Sequence, residues 1–437
     1  MHYLPNIIFA IVLVAGIGFF TLNIRKIIRN IKLGKDIDRT DNTSARWKNM
    51  IKIALGQSKM VRRPVSGLLH IIVYVGFIII NIEVVEIIID GLFGTHRVFQ
   101  PLIGDGLYGF LINTFEVLAF LVLFAVIVFW LRRNMVRIKR FWNKEMIGWA
   151  KNDGNYILYF EMVLMSLFLI MNATDVHFQE AGVGNIISQF VAPWFSGFSS
   201  DELYIIEKGA WWIHIIGILI FLNYLYYSKH LHILLAFPNT FYANLKPKGQ
   251  LTNVASVTKE VKMMMDPDAD PYATPAEGTE DEVPEKFGAS DVADLDWVQL
   301  MNAYTCTECG RCTSACPANL TGKELSPRAI MMKTRDRLEE VGKNIDANNG
   351  TFKDDGKQLL KDYITPEELW ACTSCNACVE ECPVNIDPLS IIIDLRRYLV
   401  MEESAAPQEL NMMMSNIENN GAPWQYNQQD RLNWKDE

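Results

Sequence analysis

The stretch Cys306-Thr307-Glu308-Cys309-Gly310-Arg311-Cys312-Thr313-Ser314-Ala315-Cys316-Pro317 decides how the chain is read. Three cysteines, each separated from the next by two residues, set three thiolates around one small inorganic core. A fourth, followed by proline, is directed to a second core. The pattern recurs as Cys372-Thr373-Ser374-Cys375-Asn376-Ala377-Cys378-Val379-Glu380-Glu381-Cys382-Pro383. The two runs use all eight cysteines of the chain. A repeated C-x2-C-x2-C-x3-C-P run is the pattern of two cubane iron–sulfur clusters. It assigns Cys306, Cys309, Cys312 and Cys382 to one [4Fe–4S] cluster, and Cys372, Cys375, Cys378 and Cys316 to the other. Structural zinc favours two C-x2-C pairs around a longer insert. Disulfides do not suit a segment expected on the reducing side of a membrane.

Between the runs lies an insert with helix-like segments at 326–341 and 366–370. Thr365 as N-cap, Pro366 in the first turn, and Glu367 and Glu368 beside it favour a helix start. A closing helix is expected over 387–399. Arg396 and Arg397 on it read as solvated, with docking as the other reading. The unit expected over 297–400 is a mainly α-helical ferredoxin domain. The tail, 401–437, is rich in Met, Asn and Gln and reads as disordered, or as ordered only against a partner. Before the ferredoxin unit, 244–296 is an acidic, proline-rich linker, extended or flexible at about 265–290.

The rest of the 437-residue chain is of another kind. Five apolar stretches, at 4–24, 67–89, 106–131, 156–173 and 209–237, are long enough to cross a bilayer, which takes about 20 residues each. The first lacks a preceding basic residue and a cleavage site, so it reads as a retained helix rather than a signal peptide. The loop 25–63 carries Arg25, Lys26, Arg29, Lys32 and many more basic residues, and 132–151 is similar. The loops 91–105 and 174–206 hold one basic residue, Arg97, between them. Basic loops stay cytoplasmic, so the N-terminus is expected outside and the ferredoxin domain inside. A short amphipathic helix is expected at 183–195. The expected fold is an all-α membrane bundle over 1–243 joined to the ferredoxin domain. The net charge of −9 argues against a nucleic-acid binder.

All seven histidines lie at or before His232. Polar groups in membrane helices are costly and mark function. His70 opens the second stretch and His232 closes the fifth, at matching depth. The pair is expected to hold a haem b axially, against the alternative of hydrogen-bonded interfacial histidines. On a continuous fifth helix His214 and His232 share a face, about 27 Å apart, with His230 pointing away. That phase prefers His232 to His230. His214 reads as the ligand of a second haem near the outer face, with His96 or His177 folding back to it. Otherwise it joins Glu83, Glu86 or Glu116 in a quinone site with a proton relay.

His214-Ile215-Ile216-Gly217 and Ser228-Lys229-His230-Leu231-His232 resemble the fifth helix of the cytochrome b (gamma) subunit of respiratory nitrate reductase. That resemblance, over 67–238, implies five helices, the same orientation and two stacked haems, with His70, His232 and His214 as ligands. The family's outer ligand on the second helix falls at Ile80 and Asn81 here. The longer helical insert between the cysteine runs resembles the iron–sulfur subunits of succinate dehydrogenase and heterodisulfide reductase. The chain as a whole resembles a fusion of a heterodisulfide reductase-type cytochrome and ferredoxin.

No Gly-rich dinucleotide fingerprint, P-loop or Cys-Cys-Gly module occurs. The expected function is therefore that of an electron-transfer subunit of a quinone-linked oxidoreductase in a bacterial inner membrane. It would use two [4Fe–4S] clusters, haem b and an exchangeable quinone such as menaquinone. Catalysis would fall to a separate cytoplasmic partner chain of Cys-Cys-Gly type or to a flavoprotein. Two other readings stay open: a membrane polyferredoxin serving respiratory-complex assembly, and a cluster-binding scaffold without turnover.

Overall fold

A computed structural model of the chain describes residues 3–182, 184–267 and 286–436. Among them helices are the only extended elements, with two isolated backbone bridges and no sheet. Five helices are long and apolar enough to cross a membrane. They are α1 (Leu4–Ile31), α2 (Pro64–Phe93), α3 (Asp105–Asn134), α4 (Trp149–Thr174) and α5 (Ser200–Tyr224). Proline in the first turn starts α2, where a missing N–H costs nothing, and Gly94 in the left-handed region ends it. Ser199 and Glu202 close a reciprocal capping box on α5. Neighbours pack in the order α1–α2–α3–α4–α5, and α5 returns to α1. Large apolar residues such as Ile11, Val14, Leu68, Phe110 and Ile213 stay exposed on the outside of this ring, as lipid-facing positions require.

The helices run longer than the apolar stretches that announced them, with one exception. The fifth stops at a 3₁₀ turn, Leu225–Tyr227, and the chain becomes extended at Ser228 before α6 (His232–Phe241) begins. Asp153 of α4 fixes this break. Its carboxylate accepts from Tyr224 Oη at 2.5 Å, Ser228 Oγ at 2.7 Å and the Lys229 amide at 3.0 Å. His214 and His232 therefore lie on different helices, and the shared-face argument for choosing His232 over His230 does not hold.

The ferredoxin half contains α7 (Trp297–Thr305), α8 (Arg311–Ala315), α9 (Pro327–Ala347), α10 (Ala377–Glu381) and α11 (Pro388–Met401). The turn Pro366–Trp370 is capped by Thr365 and Glu368 as expected. The packed region begins before 297, since Ala289, Val292 and Leu295 are buried in its core. That core also takes in Ile27 and Ile31 of α1, Phe221 of α5, and Leu225 and Leu231 beyond it. The two halves thus share one apolar interior. Lys35 exchanges backbone hydrogen bonds with Leu295 and Trp297 at 2.8 and 3.1 Å. Gly34 permits this approach, because a Cβ there would lie 2.7 Å from the Trp297 nitrogen.

Several local expectations change. Within the linker, 255–265 is helical, while most of the stretch expected to be flexible, 268–285, lies outside the described residues. Of the expected outer helix only two short turns, Ser188–Val191 and Ala192–Phe195, form, and Val183 is outside the described residues. The tail carries a helix, Gln408–Asn420, with no buried residue. Arg396 and Arg397 are not merely solvated: Arg396 donates to the Leu369 and Cys372 carbonyls, and Arg397 pairs with Asp394.

Candidate redox site

The two cysteine loops have the same backbone. Glu308 and Gly310 in the first, and Ser374 and Asn376 in the second, take left-handed conformations at equivalent positions. Gly and Asn are residues that tolerate this region best. Each loop then enters a short helix, α8 or α10, and these two helices pack together. Cys316 and Cys382 follow them with nearly identical backbone angles. This local twofold repeat crosses the fourth cysteine of each run to the other loop. Cys306, Cys309 and Cys312 line one hollow together with Cys378 and Cys382 of the second run. Cys372 has Cys316 and Cys375 as electrostatic neighbours, and Cys378 has Cys372 and Cys316.

Spacing separates the metal alternatives. Among the described residues, no three cysteine sulfurs lie within 4.8 Å of one another. Tetrahedral zinc, with bonds of about 2.3 Å, would hold its sulfurs about 3.8 Å apart. The wider sets suit a larger inorganic core. Backbone amides also reach the sulfurs: Ser374 N–H donates to Cys372 Sγ at 3.4 Å and Ile386 N–H to Cys382 Sγ at 3.3 Å. Such donors stabilise thiolate charge.

Three histidines, His70, His230 and His232, neighbour one another. His70 on α2 has His232 and Arg311 as charged or titratable neighbours. His230 and His232 rings are 5.4 Å apart, and His230 also packs on Phe221 at 5.3 Å. Burial, with His232 and His70 beside it, pushes His230 down to about 3, so the imidazole is neutral. Burial also lowers His232, partly opposed by the Lys229 carbonyl. His232 Nδ1 lies 3.1 Å from that carbonyl. With the proton on Nδ1, Nε2 keeps its lone pair, the arrangement of a metal-binding histidine held by its outer partner. His70 Nδ1 is buried without a partner. These donors fit a haem iron.

Charged side chains that sequence reasoning passed over join the two halves here. Lys229, between Ser228 and His230, forms an ion pair with Glu308 inside the first cysteine loop. Arg335 pairs with the other Glu308 oxygen at 2.7 Å. Burial alone would raise the Glu308 carboxyl, but the two cations outweigh it and hold it below its ordinary range. Arg311 donates to the Lys59 and Met60 carbonyls at 3.1 and 3.3 Å. Arg328, fully buried, bonds Glu145 at 2.7 Å and the Arg140 carbonyl at 2.7 Å. The available signal was position: a charge inside a cysteine run, or between two histidines, faces something specific.

At the far end of the bundle, His214 is buried between α5 and α4, with Phe168 at 6.3 Å and its Nδ1 unpartnered. Of the partners considered for it, His96, Glu86 and Glu116 are engaged elsewhere. Asn81 is exposed and bonds the Phe77 carbonyl. His96 pairs with Asp175 at 3.1 Å, and His177 is exposed. Glu86 accepts from Phe99 N–H and Tyr108 Oη. Glu116 accepts from Asn172 and two backbone amides. Glu83 Oε2 is buried and unpartnered.

The fold and the paired cysteine loops define a multi-pass membrane protein with a helical iron–sulfur domain. Residues 305–386 match the 4Fe-4S dicluster domain family. The chain is similar to a probable iron-sulfur-binding oxidoreductase, FadF, of Bacillus subtilis, with 30% identity over 99% of this chain and 61% of that protein. It is similar to an EtfAB:quinone oxidoreductase of Syntrophomonas wolfei, with 24% identity over 92% of this chain and 55% of that protein. It is also similar to a probable membrane-anchored ferredoxin of Chromohalobacter salexigens, with 31% identity over 35% of this chain and 25% of that protein. The chain thus spans 61% and 55% of the lengths of the first two relatives. No solved structure matches.

Proposed function

We propose that the chain is the membrane electron-transfer subunit of a quinone-linked oxidoreductase, joining a soluble redox partner to the quinone pool. The observation that carries this reading is the meeting of the first cysteine loop with the histidines: Arg311 neighbours His70, and Lys229 links Glu308 to the segment bearing His232. Cys306, Cys309, Cys312 and Cys382 would hold one [4Fe–4S] cluster, and Cys372, Cys375, Cys378 and Cys316 the other. His70 and His232 would hold a haem b. Bound there, these groups supply one-electron carriers in series. The chain's residues space them, exclude water with the shared core, and fix the His232 tautomer through Lys229.

In this reading the quinone, menaquinone or a relative, binds in the outer half, near the buried Glu83 and His214, whose Oε2 and Nδ1 atoms have no partner. The relatives' names, an iron-sulfur-binding oxidoreductase and an EtfAB:quinone oxidoreductase, support a quinone end and a flavoprotein or Cys-Cys-Gly-type partner at the other. The basic loops support a bacterial inner membrane with the N-terminus outside and the iron–sulfur domain in the cytoplasm. A membrane unit over 1–243 and a ferredoxin unit reaching 400 follow, the latter taking in Ala289, Val292 and Leu295 ahead of 297.

The test is a dithionite-reduced minus oxidised optical spectrum of the purified protein, with iron and acid-labile sulfide analysis. A b-type band, with sulfide near eight per chain and iron near nine, is expected from two cubanes and one haem. Clusters without that band would favour the assembly or scaffold reading.

A further inference from the structure

The two cysteine sets have different surroundings. Around the set of Cys306, Cys309, Cys312 and Cys382, charged neighbours from the membrane half join Glu308, Arg311 and Arg335 of the ferredoxin domain. Lys59 neighbours Cys382, and Arg140 neighbours Cys309. Arg140 is so close that a Cβ on Gly310 would lie 3.3 Å from its Cβ. Arg311 grips the turn before α2, donating to the Lys59 and Met60 carbonyls and to Met60 Sδ at 2.9 Å. Lys229 and Arg335 close over Glu308.

Around the other set the charged groups beside Cys372 and Cys378 are internal to the ferredoxin domain, while Lys59, Arg62 and Arg63 meet this run after Cys378, at Val379, Glu380 and Glu381. Arg396 neighbours Cys372 and donates to its carbonyl at 2.5 Å, and Asp387 neighbours Cys378. Cys375 is exposed, as is Thr373 before it, whereas Cys309, its counterpart in the repeat, is only partly so. The internal repeat makes the two loops equivalent in backbone, so the difference comes from what covers them.

We infer that the device is polar: the Cys306/Cys309/Cys312/Cys382 set is the membrane-facing end, and the Cys375 edge of the other set is where a soluble flavoprotein docks to deliver electrons. This rests on the electron-transfer reading above. The exchange at that edge oxidises the donor flavin by one electron and reduces one iron–sulfur centre by one electron, with no bond made or broken. Thr373 and Cys375 form the contact, and a bulky side chain at 373 would hold the donor away.

The experiment uses the full chain in detergent with both clusters present, verified by iron and sulfide analysis. Low-temperature electron paramagnetic resonance is recorded at potentials that reduce one centre at a time, with and without dysprosium–EDTA, a soluble relaxing agent. Dysprosium should speed relaxation of one signal only. Arg396→Gln should shift the midpoint potential of that signal, and Glu308→Gln should shift that of the spared one. Separately, Thr373→Trp should slow reduction by photoreduced flavodoxin at least tenfold while leaving both signals unchanged. The inference is overturned if dysprosium relaxes the signal that Glu308→Gln shifts, if it relaxes both equally, or if Thr373→Trp reduces at the wild-type rate. Absence of two cluster signals in protein with a full iron and sulfide load would instead overturn the electron-transfer reading.

Discussion

At the end of the bundle away from the cysteine loops Arg97 is gathered into a closed network. It donates to Asp175 at 2.9 Å, Asn172 at 3.1 Å and Tyr108 at 3.3 Å, and it lies 3.9 Å over the Phe178 ring. His96, Asp175 and Glu207 bring ligand atoms within 4.8 Å of one another beside it. Burial would raise the Asp175 carboxyl, yet His96 and Arg97 outweigh it and hold it well below its usual range. At the end facing the cysteine loops the bonds cross between the halves: Lys229 reaches from the membrane half to Glu308, and Arg311 reaches from the ferredoxin half to the Lys59 carbonyl. One end ties its own loops down, and the other ties a second domain on. Buried charges are tolerable only when paired, so each network reports what its end is built to hold.

The sharpest break in this comparison concerns the histidines. His70→Ala or His232→Ala should abolish the b-type absorbance entirely, whereas His214→Ala at the end away from the cysteine loops should leave it in place. Equal loss from all three would make the two ends alike. Next comes Arg97→Ala. It strands Asp175 among buried partners and should cost about 3–5 kcal/mol, read as a lowered thermal midpoint in detergent with the haem band unchanged. An unchanged midpoint would mean that this network is ornamental.

Gly34→Ala attacks the end facing the cysteine loops. Its new Cβ meets backbone rather than a flexible side chain, at a cost of about 1–3 kcal/mol, and should expose 244–296 to protease before either half unfolds. The smallest effect is acid. Glu380 joins the ferredoxin domain to Lys248 and Arg62, which pull its carboxyl from 4.5 to about 2. The folded value lies below the unfolded one, so the stabilisation is complete above pH 4.5 and fades as pH falls toward about 2. The pairs are exposed and screened by salt. Protease access to the same linker should rise modestly over that window, and less so in high salt.

The iron–sulfur motif and the five spans were legible because each rests on local spacing. Cys382 could be paired with the first run from the proline after it, without knowing the fold. The break at Ser228 was not legible. From Leu225 to Phe237 the chain contains neither glycine nor proline, and the apolar stretch runs on to Phe237. Asp153, far away in sequence, accepts the freed groups and sets the break. Tertiary contacts override propensity in such cases. The shared core was half legible: Ile27 and Ile31 continue the apolar face of α1 past its expected end at 24, in a stretch whose lysines and arginines concealed it. Arg396 gave no signal, since its acceptors are backbone carbonyls.

The bridge between Lys35 and the extended residues Leu295 and Trp297 bears on kinetics. A domain on a free acidic tether would swing between a donor and the membrane as a shuttle. Here the ferredoxin half is clamped by backbone hydrogen bonds and by a core it shares with α1 and α5. It cannot travel, so the donor must. Turnover should then follow the donor's encounter rate, rising with donor concentration and falling with solvent viscosity, while the step from the iron–sulfur domain into the membrane stays indifferent to both.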